Sequence, residues 1–167
     1  MQLAKAVEKY NIFYFEEPNT PSVTTSKFLA EHINIPISQG ERVYSRWQYA
    51  PFFEEQSVQV IQPDLGNTGG LTEGKKICDM AYTYDVSVQA HVCASPLSTA
   101  VALHLECVIP NFVIHEHHCI NLEDYNIKLC TVDWQPVNGK FKVPEGPGLG
   151  CEPTDWAFAH ADKATVE

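Results

Sequence analysis

No run of about 18 apolar residues occurs anywhere in the 167-residue chain, so the sequence offers no membrane-spanning helix. Basic side chains are scarce: 11 Lys and Arg stand against 21 Asp and Glu, a formal net charge of −10. That balance excludes nucleic-acid binding, which needs clustered cations for phosphate, and disfavours an anionic membrane surface. No CxxC pair is present. The six cysteines (Cys78, Cys93, Cys107, Cys119, Cys130 and Cys151) are widely spaced. The first ten residues, MQLAKAVEKY, lack a signal-peptide apolar region. The thiols therefore read as reduced and mostly buried in a cytoplasmic protein, not as a disulfide framework or a zinc site. There is no internal repeat and no low-complexity tract, and the length is that of one compact domain.

What the chain does have is alternation. Helical spacing over 2–10 is followed by a short apolar strand at 12–15. An amphipathic helix at 22–32 precedes the strand INIPIS at 33–38, and 45–55 reads as a helix or turn. VQVIQPD (58–64), VSVQAH (86–91) and NFVIHEHH (111–118) read as strands, with helices predicted over 69–85 and 95–109 between them. Strand and helix in turn, with short links, is the pattern of a parallel sheet of βαβ units. The strands are apolar on both faces, as helix-covered parallel strands should be. GNTGG after Asp64 reads as a tight turn from strand to helix, because it does not match a phosphate-binding GxGxxG. Beyond about residue 120 the pattern gives way to loop.

All five predicted strands end in ionisable residues: Glu16-Glu17, Glu41-Arg42, Asp64, His91 and the cluster His115-Glu116-His117-His118. Positions 16, 41, 64, 91 and 116 lie 25, 23, 27 and 25 residues apart, one βα unit each. In a parallel sheet those ends share one edge, and in a (β/α) barrel they meet at the mouth that carries the chemistry. The neighbouring carboxylates Glu16 and Glu41 would repel unless a cation lay between them, and a hard ion with oxygen ligands, Mg²⁺ first, meets that need. An Asp64 carboxylate bonded to His91 would fix the imidazole tautomer and raise its basicity, making an acid/base pair. Glu116 could donate a hydrogen bond to developing negative charge. Metal, base and acid around one pocket point to proton abstraction beside a carboxylate. The bland reading of His115, His117 and His118 is a polar strand end running into loop.

FEEP (15–18), PISQGER (36–42), IQPDLGNTGGLTEGKKI (61–77), VSVQAH, PNFVIHE (110–116) and VPEGPGLG (143–150), in that order, resemble the barrel domain of the enolase superfamily. The branch they resemble is that of mandelate racemase and muconate lactonizing enzyme. The resemblance implies an α/β fold: the C-terminal portion of a (β/α)7β TIM-like barrel. Residues 1–120 would supply the later βα units, and 121–167 a loop-rich segment that packs on a capping domain. It implies Glu16 and Glu41 as Mg²⁺ ligands, His91 and Asp64 as the catalytic dyad, and Glu116 as the acid that stabilises an enolate. GERVYSRW (40–47) is similar to sugar-acid dehydratases, galactonate dehydratase above all. Arg42 and Arg46 would then help hold substrate, or serve as ion-pair partners of nearby acids.

The same resemblance sets expectations that this chain does not meet alone. Family barrels carry a capping domain and earlier strands, which bring a further aspartate ligand and a lysine-type base. Only fifteen residues precede Glu16, and they leave no room for those strands. The reading is thus of an incomplete site, to be completed by an upstream part or by a second copy, since an open sheet edge calls for a partner. The function expected is Mg²⁺-dependent dehydration of a small sugar acid. Racemisation or epimerisation on the same site, and a non-catalytic assembly subunit, are the alternatives.

Overall fold

The computed structural model describes residues 1–165. Four short strands, β1 (Phe15–Glu16), β2 (Ile37–Gln39), β3 (Val60–Ile61) and β4 (Ser87–Val88), form one parallel sheet in the order β1-β2-β3-β4. Phe15 pairs with Ile37, Ser38 with Val60, and Val60 with Ser87. The backbone ladder runs on past the strands. Glu17 N donates to Ser38 O (2.9 Å), Gln62 N to Gln39 O (3.1 Å) and His91 N to Pro63 O (3.2 Å). The strand-end residues therefore leave the sheet from a fixed backbone.

Helices α1 (Gln2–Val7), α2 (Val23–His32), α3 (Arg46–Glu54), α4 (Gly70–Thr83) and α5 (Pro96–Glu106) alternate with the strands. Their starts are encoded locally. The Ser22 and Ser45 hydroxyls accept from Thr25 N and Gln48 N to cap α2 and α3, and Pro96 opens α5 where no N–H is needed. The predicted helix at 2–10 is α1 followed by a 3₁₀ turn at Glu8–Tyr10, which ends at Asn11 in the left-handed region. The 45–55 segment resolves as a helix.

The fifth predicted strand, 111–118, shrinks to a single parallel bridge between Val88 and Phe112. Val88 N bonds Asn111 O (2.8 Å), and Val113 N bonds Val88 O (3.0 Å). At the start of the segment the Asn111 side chain is engaged as well: its Nδ2 donates to Val86 O (2.8 Å) and Cys78 O (3.2 Å).

Two units can be distinguished: Met1–His91 with Val108–Glu116, and Val92–Cys107 with His117–Glu167. In the first, Ile37, Phe53, Ile61, Ile77, Cys78, Ala81 and Val88 are fully buried. Tyr49 stacks on Phe53, and its hydroxyl donates to Gly40 O at 2.8 Å. Gly40 is obligatory there: a Cβ would stand 2.5 Å from Gln62 N and 2.6 Å from the Tyr49 hydroxyl.

The second unit holds α5, a 3₁₀ turn at Cys119–Leu122, α6 (Asp124–Ile127) and α7 (Asp155–His160). Ala100, Cys130 and Cys151 form its small core, with Leu97, Val132, Trp134 and Leu149 packed against them. A short antiparallel pairing joins Cys130 to Pro153. None of the six cysteines is in a disulfide; Cys78, Cys130 and Cys151 are buried, but Cys107 and Cys119 are exposed, so burial is less general than their sequence implies. Among the described residues no helix is long and apolar enough to cross a membrane.

Candidate active site

The ends of β1 to β4 bring Glu16, Glu41, Asp64 and His91 together, and Glu116 joins them from the segment beyond the fifth pairing. His91 is the hub. Its Nδ1 lies 2.8 Å from Asp64 Oδ2 and its Nε2 lies 3.0 Å from Glu41 Oε2. One imidazole is thus held between two carboxylates. The bond to Asp64 raises the His91 pKa above its usual value, burial opposes it, and the charges of Glu116, Asp64 and Glu41 add to the rise. The same bond lowers Asp64, helped by the backbone N–H groups of Gly66 and Asn67 against the cost of burial. Gly66 N donates to Asp64 Oδ1 at 2.8 Å, so the turn after β3 anchors one oxygen and leaves the other to His91.

Glu16 behaves in the opposite way. Burial raises its pKa first, and the charges of Glu116 and Glu41 raise it further, while a hydrogen bond from Gln62 and the charge of His91 lower it. Three carboxylates therefore crowd one region.

The arginines sit elsewhere in the charge pattern. Arg42 binds the Glu17 carboxylate through both Nε and Nη2, and its Nε is 3.7 Å from Glu41 Oε1. Glu17 in turn accepts from Gly40 N at 3.1 Å. Arg46 is engaged by Glu73 of α4 (Nε to Oε1, 2.8 Å) and lies over the Trp47 ring at 4.8 Å. Each arginine is an ion-pair partner here, and Arg42 alone of the two touches a residue of the acidic cluster.

Sequence reasoning missed a second layer. Tyr14, Gln39, Gln62 and Gln89 precede Glu16, Glu41, Asp64 and His91 by two positions each. A two-residue step keeps the same face of a strand. Gln39, Gln62 and Gln89 are at most 2% exposed. Gln62 Nε2 donates to Gln89 Oε1 (3.1 Å), which also accepts from the Tyr14 hydroxyl. Gln39 Oε1 accepts from Ser26 Oγ at 2.8 Å. The recurring Gln-x-acid or Gln-x-His of QGE, QPD and QAH was the available signal. Buried amides need partners, and here Gln62 and Gln89 meet each other while Gln39 uses Ser26 and Asn19.

Comparison with known proteins agrees with this geometry. Residues 1–157 match the enolase C-terminal domain-like family. A D-xylonate dehydratase from Haloferax volcanii is 33% identical, over 89% of this chain and 36% of that protein. A D-galactonate dehydratase from Ralstonia pickettii is 32% identical, over 99% of this chain and 49% of that protein. The chain thus spans half or less of the length of these curated relatives. Among solved structures, a member of the enolase superfamily from Salmonella Typhimurium superposes with a TM-score of 0.95 at 49% identity, covering 99% of this chain and 43% of that one. A mandelate racemase/muconate lactonizing enzyme from Jannaschia sp. CCS1 gives 0.89 at 31% identity, over 99% of this chain and 42% of that one. The chain belongs to the enolase superfamily, in its mandelate racemase and muconate lactonizing enzyme branch, and carries that family's C-terminal barrel fold.

Proposed function

We propose that this chain carries the later half of the active site of a Mg²⁺-dependent sugar-acid dehydratase, acting on an aldonate of the galactonate or xylonate kind. The observation that carries the reading is His91 held between Asp64 and Glu41. Two carboxylates favour the imidazolium, and a charged imidazole suits a general acid. In this reading His91 delivers its proton from Nε2 to the β-hydroxyl as the carbon–oxygen bond breaks, so that the hydroxyl leaves as water. Asp64 holds Nδ1–H and stabilises the charge between turnovers. Glu116 faces the developing negative charge of the substrate carboxylate, and the resemblance assigns the α-proton to a base on an earlier barrel strand. The enol product then becomes a 2-keto-3-deoxy acid. Arg42 keeps Glu17 and Glu41 in place, and Arg46, tied to Glu73, anchors the start of α3, where the loop that carries Arg42 ends.

The donor set fits a hard cation. Glu16 and Glu41 offer carboxylate oxygens only, and burial first, then the charges of Glu116 and Glu41, hold the Glu16 pKa above its usual value, a cost that a cation beside it would offset. Among the described residues no group of three or more His, Cys, Asp or Glu is arranged to hold a metal ion. Glu16 and Glu41 are the two residues of this chain that would hold the ion. When bound there, Mg²⁺ would supply positive charge to offset the clustered carboxylates and the charge that develops on the substrate.

Two measurements test the reading. Calorimetric titration of Mg²⁺ should show binding that the Glu16→Gln, Glu41→Gln double variant loses. A screen of aldonates should yield a 2-keto-3-deoxy product that disappears in His91→Asn. Exchange of the α-proton without loss of water would instead mark a racemase or epimerase. No metal binding and no turnover would leave the fold without the chemistry.

A further inference from the structure

We infer that the second unit contains a built-in site for one water molecule, which joins Asn121, Asn126 and Trp134 beside the start of α5. A cavity of about 10 Å³ is lined there by Pro96 and Thr99 of α5 and by Asn121, Asn126 and Trp134. Three of the polar atoms on these residues are buried and have no partner: Asn121 Oδ1, Asn126 Oδ1 and Trp134 Nε1. Asn121 and Asn126 are 5% and 3% exposed.

Asp133 and Gln135 complete the cavity wall, and several of the neighbouring groups are already committed. Asn126 Nδ2 donates to Ala94 O at 3.0 Å, and Asn121 Nδ2 pairs with His117 Nδ1 at 3.4 Å. These bonds set which way round each amide sits and leave its oxygen facing away from a donor. Gln135, also on the cavity wall, spends its Nε2 on Asn121 O and Asp133 Oδ1, both at 2.8 Å, and its Oε1 on His117 Nε2 at 3.0 Å.

The chemistry of the three atoms selects the ligand. Two carbonyl oxygens need two donors, and one indole N–H needs one acceptor. Water offers two donors and an acceptor in one molecule. A metal cation or ammonium cannot accept from the indole, and an anion cannot donate to the two oxygens. The volume admits about one water and no larger molecule. Buried waters of this kind hold about three hydrogen bonds and are costly to remove. The water would do for this loop-rich unit what a backbone ladder does for the sheet.

A crystal structure of the 167-residue chain tests the inference without any variant. The expected result is one ordered density peak within about 2.7–3.2 Å of all three atoms. No density in the cavity would overturn the inference. So would a peak with the shorter contacts of a metal ion, or Asn121 and Asn126 turned to satisfy each other. A parallel structure of Trp134→Phe, which deletes the donor and keeps an aromatic ring, should show that peak weakened or lost. A peak of undiminished strength would remove the indole from the site and overturn the three-point assignment.

Discussion

The two units treat buried polar groups in different ways. In the barrel unit, Gln62 Nε2 and the Tyr14 hydroxyl both donate to Gln89 Oε1, and Asp64 bonds to His91, while Gln62 Oε1 is itself buried without a partner. In the second unit, Asn121, Asn126 and Trp134 each leave one buried polar atom without a protein partner. Regular parallel strands explain the difference. They repeat the same geometry every βα unit, so polar residues recur at one level of the sheet and can meet across it, as Gln62 and Gln89 do. Irregular chain has no such repeat and leaves gaps the size of a solvent molecule.

The largest expected effect breaks the barrel unit at its core. Phe53 is fully buried and stacks against Tyr49. Phe53→Ala should cost about 3–5 kcal/mol through lost burial and the cavity it leaves. Leu149→Ala, on a partly buried side chain of the smaller cluster, should cost clearly less. Chemical denaturation of both variants measures the gap, and equal losses would mean that the two units share one stability.

Gly40→Ala comes next. The added Cβ would fall 2.5 Å from Gln62 N and 2.7 Å from Gln62 C, so backbone must move. Overpacking of this kind costs about 1–3 kcal/mol. Because Glu41 follows directly, any Mg²⁺ affinity of the chain should drop by more than the stability change alone explains. Gly148→Ala in the second unit, where a Cβ meets nothing within 4 Å, should be milder, its cost coming only from the left-handed backbone.

The contrast also governs how much was legible in the sequence. Glu16, Glu41, Asp64 and His91 could be found because a repeat of about one βα unit put each at a strand end, and periodicity survives without coordinates. The glutamine layer carried the same repeat two positions earlier, yet amides are ordinary on surfaces and their burial is a tertiary fact. The fifth strand was over-read: NFVIHE has the right residue types, but its pairing is one bridge at Phe112, and Asn111 spends its side chain on the Val86 and Cys78 carbonyls. In the second unit the helix predicted at 95–109 is α5, whereas the chain beyond about 120, read as loop, also holds the short helices α6 and α7. The polar pocket of this unit was invisible, since Asn121, Asn126 and Trp134 follow no period.

The smallest effect expected is in pH dependence, and it sharpens the comparison by isolating the dyad. Asp64 titrates below its usual 3.8 in the folded chain. Its contribution to stability is therefore present above 3.8 and fades as pH falls through the folded value. His91 titrates above its usual 6.5, so its contribution is full below 6.5 and is lost as pH rises through its higher folded value. Glu16, raised above its usual 4.5, works against folding once ionised, so a single stability curve would mix the three. The difference between wild type and Asp64→Asn cancels the Glu16 part if the sites add. That difference should be greatest between about 3.8 and 6.5 and should shrink on both sides. Denaturant midpoints across this range measure it, and proton NMR of His91 should show its pKa falling in the variant. A difference that stays constant with pH would mean that Asp64 and His91 are neighbours without electrostatic coupling, and the general-acid role would lose its physical basis.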